Sequence, residues 1–150
     1  MQSVTLRIVV AVPVAALLLS ARASGSDSDS RELVKMPAPM QVHLLGNMRD
    51  HLSAISEIQS ALGAGEFDRA AQIAEGRIGM SSLVAHGAPH MAPYMPKAMQ
   101  EIGTQMHRAA SQFALVAQEG AVDGNARRAL ASLSGVTAQC VACHNAYRAH

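Results

Sequence analysis

The sequence predicts an all-α fold, an antiparallel up-down-up-down four-helix bundle, and three observations carry that expectation. From about residue 39 onward apolar residues recur at steps of three and four, the spacing of one helix face. Phe67, Tyr94, Phe113 and Tyr147 are the only aromatic residues, there is no Trp, and nine Met share the apolar fraction with many Ala and Leu. That mixture favours helices over strands. The links between the periodic stretches are mostly short, so each helix buries its stripe against two neighbours. A chain of 150 residues holds one such domain with a substantial core and hardly two.

At the N-terminus Arg7 precedes an apolar run from Ile8 to Leu19, and the small-x-small triplet Ala21-Arg22-Ala23 follows. This is the pattern of a secretory signal cleaved after Ala23. A membrane-spanning helix needs about 20 apolar residues; this run is shorter and contains Pro13. Residues 1–23 therefore read as a signal peptide, and the mature chain is expected to be exported to the periplasm and to leave the membrane. Residues 24–38 are small, polar and charged up to Lys35, without apolar periodicity, and read as a flexible leader. The folded domain is expected over 39–150.

The first helix is expected from about Met40 to Leu62, stopping before Gly63 and Gly65. With Met48 at zero and about 100° per residue, Leu44 lies near −40°, Leu45 near +60°, Leu52 near +40°, Ile55 near −20° and Leu62 near −40°. Met48 thus occupies the middle of the expected buried face. The second helix runs from about Glu66 to Ser82, with Phe67, Ala71, Ala74 and Ile78 on one stripe. The connector His86 to Pro96 holds three Pro and a Gly and cannot be one regular helix. The third helix runs from about Lys97 to Gln118, its stripe formed by Met99, Ile102, Met106, Ala109, Phe113 and Val116. A polar turn from Glu119 to Gly124 follows, with Asp123 and Asn125 as N-cap candidates for a fourth helix continuing to about Tyr147.

Twelve basic residues, less Arg7 and Arg22 of the signal, leave ten against eleven acidic ones. Near neutrality gives no electrostatic basis for a nucleic-acid or anionic-membrane partner.

The chemistry concentrates in Cys140-Val141-Ala142-Cys143-His144, a C-x-x-C-H run, the attachment signature of c-type haem. On a helix Cys143 lies about 60° to one side of Cys140 and His144 about 40° to the other, so two thiols and an imidazole share one face. Two thioether bonds along one edge of a single porphyrin then leave the imidazole within reach of its iron. Leu133, Val136 and Tyr147 continue the stripe. A disulfide would have to bridge positions one turn apart in a helix, an awkward geometry. A structural zinc site wants four ligands, and there is no second Cys pair. A thioredoxin-type C-x-x-C needs a βαβ context that the pattern lacks.

A C-terminal C-x-x-C-H-x-x-Y-R, here Cys140, Cys143, His144, Tyr147 and Arg148, closing a four-helix chain resembles the cytochrome c′ family, the class II c-type cytochromes, including its low-spin members. The likeness spans about Met40 to Arg148. It implies thioether attachment at Cys140 and Cys143, a proximal iron ligand at His144 and a place near the haem for Arg148. Low-spin relatives carry a distal Met on the first helix, and Met48 looks like that residue. Met40 and His51 are rivals on the same helix, and an open position is the further alternative. Where many relatives carry a basic residue one turn before the distal Met, this chain has Leu44. The family also pairs as dimers, so a homodimer is expected.

His/Met ligation implies a one-electron carrier, because iron kept six-coordinate rearranges little between oxidation states, and a thioether ligand tends to raise the potential. An open position implies instead a five-coordinate binder of nitric oxide or carbon monoxide. A reading from another class takes His86, His90, Met91, Met95 and Met99 as a copper-binding set. The sequence holds no nucleophile–base constellation, paired acids or Gly-rich phosphate loop, so an enzyme is not expected.

Overall fold

The computed structural model describes residues 29–150; the expected signal peptide, 1–23, lies outside them. The described chain is mostly helical, as the apolar periodicity requires. Its elements are a two-residue strand β1 (Glu32–Leu33), helices α1 (Ala38–Gly63), α2 (Phe67–Arg77), α3 (Ala88–Met91), α4 (Lys97–Asp123) and α5 (Ala126–Ala146), and a second short strand β2 (Tyr147–Arg148). Single 3-10 turns, Met80–Ser82 and Ala92–Tyr94, flank α3. No described helix is long and apolar enough to cross a membrane.

Local chemistry accounts for the helix ends. Pro39 stands in the first turn of α1, where its missing N–H and fixed φ cost nothing. The stop needs only one of the two glycines: Gly63 is still helical, whereas Gly65 turns the chain at φ 75°, a conformation that favours glycine. α4 runs five residues beyond the expected Gln118, through the polar segment read as a turn. It ends at Gly124, φ 68°, whose N–H donates to the Gly120 carbonyl. The polar residues 118, 119 and 123 lie on its exposed side, so hydrophilicity there marks a solvated face and not a break. Asn125 is the cap of α5, its side chain accepting from the Arg128 N–H at 3.1 Å. α2 is shorter than expected, ending at Arg77 before the 3-10 turn.

The leader enters the fold at its C-terminal end. β1 pairs in parallel with β2, Glu32 opposite Tyr147 and Leu33 opposite Arg148. The Val34 N–H donates to the Arg148 carbonyl at 2.9 Å, and Val34 is only 3% exposed. The backbone of Tyr147 is accordingly extended, closing α5 one residue early.

α4 packs most extensively on α5, then on α2, and α2 on α1. The main core draws on all four long helices: Ala54 and Ile58 of α1, Ala70 and Ala74 of α2, Phe113 and Ala117 of α4, and Leu133 and Val136 of α5. Its many alanines let the helices approach closely. Gly120 does so most tightly, since a Cβ there would lie 2.7 Å from Cδ1 of Phe67. A second apolar cluster of Val34, Leu44, Met91 and Met99, with Met40, Met48 and Cys143 packed on it, joins α1, the connector and the end of α5.

The buried line of α1 is rotated from its expected centre. His51, Leu44, Ala54 and Ile58 are buried, while Leu52 is 72% exposed. His51 therefore lies at the middle of the buried face and Met48 at its half-buried edge.

Candidate functional site

α5 carries the C-x-x-C-H residues to a cavity of about 950 Å³, at the upper end of the roughly 300–1,000 Å³ of cofactor pockets. Cys140, Cys143 and His144 all line it, together with apolar side chains such as Leu44, Met91, Met99, Met106 and Val136. Cys140 and Cys143 are half-buried and His144 exposed at the surface. Both thiols are free. The Cys140 Sγ lies 4.0 Å from the Met106 sulfur. Burial pushes both thiols upward in pKa, and the neighbouring Cys140 adds to the rise at Cys143. Neither is thus held as a thiolate nucleophile at neutral pH.

Of the three side chains on the first helix weighed as iron ligands, Met48 and His51 line this cavity and Met40 does not. Met40 packs instead on the Met-rich cluster.

Arg148 also lines the cavity. Its Nε is buried without a hydrogen-bond partner, and the nearest carboxylate oxygen, Asp29 Oδ2, stands at 3.8 Å, beyond hydrogen-bonding reach. Arg31, which sequence reasoning missed, joins it there: its Nη1 donates to the His144 carbonyl at 3.3 Å. The β1–β2 pairing brings both residues to the cavity wall.

A second feature of the same cavity was not legible in the sequence. His51 of α1, His86 of the connector and His107 of α4 are buried, at 6%, 9% and 8% exposure. Their ring centroids are 4.7 Å (51–86), 5.5 Å (86–107) and 5.9 Å (51–107) apart. His51 Nε2 lies 3.4 Å from His86 Nδ1, which also contacts the Ser82 hydroxyl at 3.3 Å. His107 Nδ1 donates to the Ile78 carbonyl at 2.5 Å. His51 Nδ1 is buried with no partner, a deficit of about 1–3 kcal/mol for a polar atom taken out of water. Burial foremost, then the facing His86 and His107 rings, lowers the His51 pKa to about 4. Burial, then His107, lowers His86 as well. Among the described residues, no group of three or more His, Cys, Asp or Glu side chains is placed to hold a metal ion.

The connector set His86, His90, Met91, Met95 and Met99 is divided. His86 and the three Met line the cavity, whereas His90 is exposed and outside it.

Comparison with protein-family models, with curated proteins and with solved structures finds no match.

Proposed function

We propose that this chain is an exported c-type cytochrome, a periplasmic one-electron carrier of the low-spin cytochrome c′ type. In this reading one haem is held by thioether bonds from Cys140 and Cys143, with His144 and Met48 as its iron ligands. One observation carries the proposal: the C-x-x-C-H residues of α5 and Met48 of α1 line one apolar cavity of cofactor size.

The lining fits that group in three respects. The cavity is apolar and methionine-rich, and flexible thioether side chains conform to a flat macrocycle. The thiols are free and half-buried at its wall. Arg148 presents a buried, unpartnered Nε to it, and a haem propionate is the kind of anion that satisfies such a donor.

The bound haem would supply reversible one-electron chemistry at iron. Cys140 and Cys143 would attach it, while His144 and Met48, on different helices, would bind its iron. Leu44, Met91 and Met99, which line the cavity, would exclude water from the bound group. Short links between α1 and α2 and between α4 and α5, and the neighbour order α1–α2–α4–α5, support the up-down-up-down bundle, and the resemblance extends the reading to a homodimer.

The absorption spectra of purified wild-type and Met48→Ala protein, ferric and ferrous, test the reading. A low-spin wild type turning high-spin on substitution is expected. A high-spin wild type unchanged by the substitution would refute Met48 ligation, and colourless protein from a host that matures such cytochromes would refute the haem.

A further inference from the structure

We propose that residues 29–34 form a strap that closes the cavity at its α5 end, and that release of this strap opens the cavity while the helices stay folded. The inference does not rest on the haem reading, because it concerns one wall of the cavity and holds for any apolar occupant of that size.

α1 packs on α2 but scarcely touches α4 or α5 directly, and the cavity occupies that seam. At one end three hydrogen bonds cross the seam, from the N-terminal side of the chain to the last turn of α5 and the residues after it. Arg31 Nη1 donates to the His144 carbonyl at 3.3 Å, the Val34 N–H to the Arg148 carbonyl at 2.9 Å, and the Gln41 side chain to the Ala149 carbonyl. The Asp29 carboxylate grips the Arg31 guanidinium at Nε and Nη2, at 2.9 and 2.7 Å, which leaves Nη1 for α5. A cation there serves one of the last carbonyls of the helix, which has no partner within the helix and lies at the negative end of its dipole.

Packing makes the strap part of the wall. Arg31 and Val34 line the cavity, as do Tyr147, Arg148 and Ala149 on the other side of the strand pair. Val34 is buried in one apolar cluster with Leu44, Met91 and Met99, the two Met at 5% and 7% exposure. Lifting Val34 away therefore uncovers two buried thioethers of the cavity wall. The strap is lightly fastened. Its strand is two residues long, paired along one edge, and both Glu32 and Leu33 are exposed. A lone two-stranded pair is marginal in water, and segments with few buried contacts open before the core does. The packing of α1 on α2, α2 on α4 and α4 on α5 does not pass through the strap, so the strap can leave while these helices hold.

The test uses the full purified chain and two measurements. Hydrogen exchange of the 144–150 backbone reports whether the strap is fastened. Oxidation of Met91 and Met99 by chloramine-T, read as sulfoxide by mass spectrometry, reports access to the cavity. Val34→Pro removes the N–H that bonds the Arg148 carbonyl and should speed both processes by about tenfold; Arg31→Ala, which removes the contact to His144, should speed both by about threefold. Lys35→Ala, at an exposed neighbour, should change neither, and oxidation of Met80, 38% exposed and outside the cavity, should keep its wild-type rate throughout. Faster exchange at 144–150 with unchanged oxidation of Met91 and Met99 would overturn the proposal, and so would rates unchanged in both variants. Arg31 is exposed, so its substitution decides the matter if exchange within α2 shows that Val34→Pro disturbs the whole fold. Colour keeps the two readings apart: colourless protein refutes the haem and leaves both measurements in force.

Discussion

Acid should unfold this protein from a pH at which its carboxylates are still ionised, and His51 is the reason. The side chain is 6% exposed, and burial followed by the His86 and His107 rings lowers its pKa from the ordinary 6.5 to about 4. Between those values the unfolded chain takes up a proton that the folded chain refuses. More protons bound to the unfolded state means that stability rises with pH through this window and is lost on acidification. At about 1.4 kcal/mol per pH unit the full loss is about 3 kcal/mol, with about 2 kcal/mol gone by pH 5. His86, lowered in the same direction, deepens it. Asp50 and Glu57, both held below the usual carboxylate range by Arg77, lose their contribution only as pH falls through and below 3.8 and 4.5. Urea midpoints followed by circular dichroism at pH 7, 6, 5 and 4.5, with chelator present, separate the two windows. Wild type should lose stability steeply between pH 6.5 and 4.5, and His51→Leu should show a slope shallower by about the amount worked above. Parallel slopes for the two proteins would refute the reasoning, because they would mean that His51 takes up its proton as readily folded as unfolded.

Three further outcomes follow from packing and charge. Gly120→Ala places a Cβ 2.7 Å from the ring of Phe67, itself 8% exposed, and should cost about 1–3 kcal/mol of overpacking, read as a lower denaturation midpoint with helicity retained. Phe113→Ala empties the largest fully buried side chain and should cost about 3–5 kcal/mol by the same measurement. Arg77 ties α2 to α1 through Asp50 (2.5 and 3.2 Å) and Glu57 (2.6 Å). Because these groups are partly solvated, Arg77→Met should cost only about 1–2 kcal/mol, and 1 M salt should shrink the difference.

Much of the fold could be read along the chain. The stripe of α2 is the expected one, with Phe67, Ala71, Ala74 and Ile78 buried, whereas that of α4 is met at Met99, Met106 and Phe113 while Ile102, Ala109 and Val116 are only half-buried. The positions that differed did so because a third element intervened. Leu52 has a neighbour's angle on the helical wheel but faces outward, since the partners of α1 lie on the His51 side. Tyr147 left the helix because β1 offered its backbone a ladder. His107 adjoins Met106 on the stripe of α4, and that adjacency was the one sequence signal for its burial; nothing local pointed to His51 or His86 as its companions.

The sequence by itself determined the helical class, the helix-stopping glycines and the C-x-x-C-H face, all properties settled by backbone geometry within a turn or two. The tertiary structure alone decided that Arg31 meets His144 across 113 residues and that His51 meets His86 across 35. Such contacts depend on which faces of separate helices the packing turns inward, and helical periodicity fixes a face without naming the partner it will bury against.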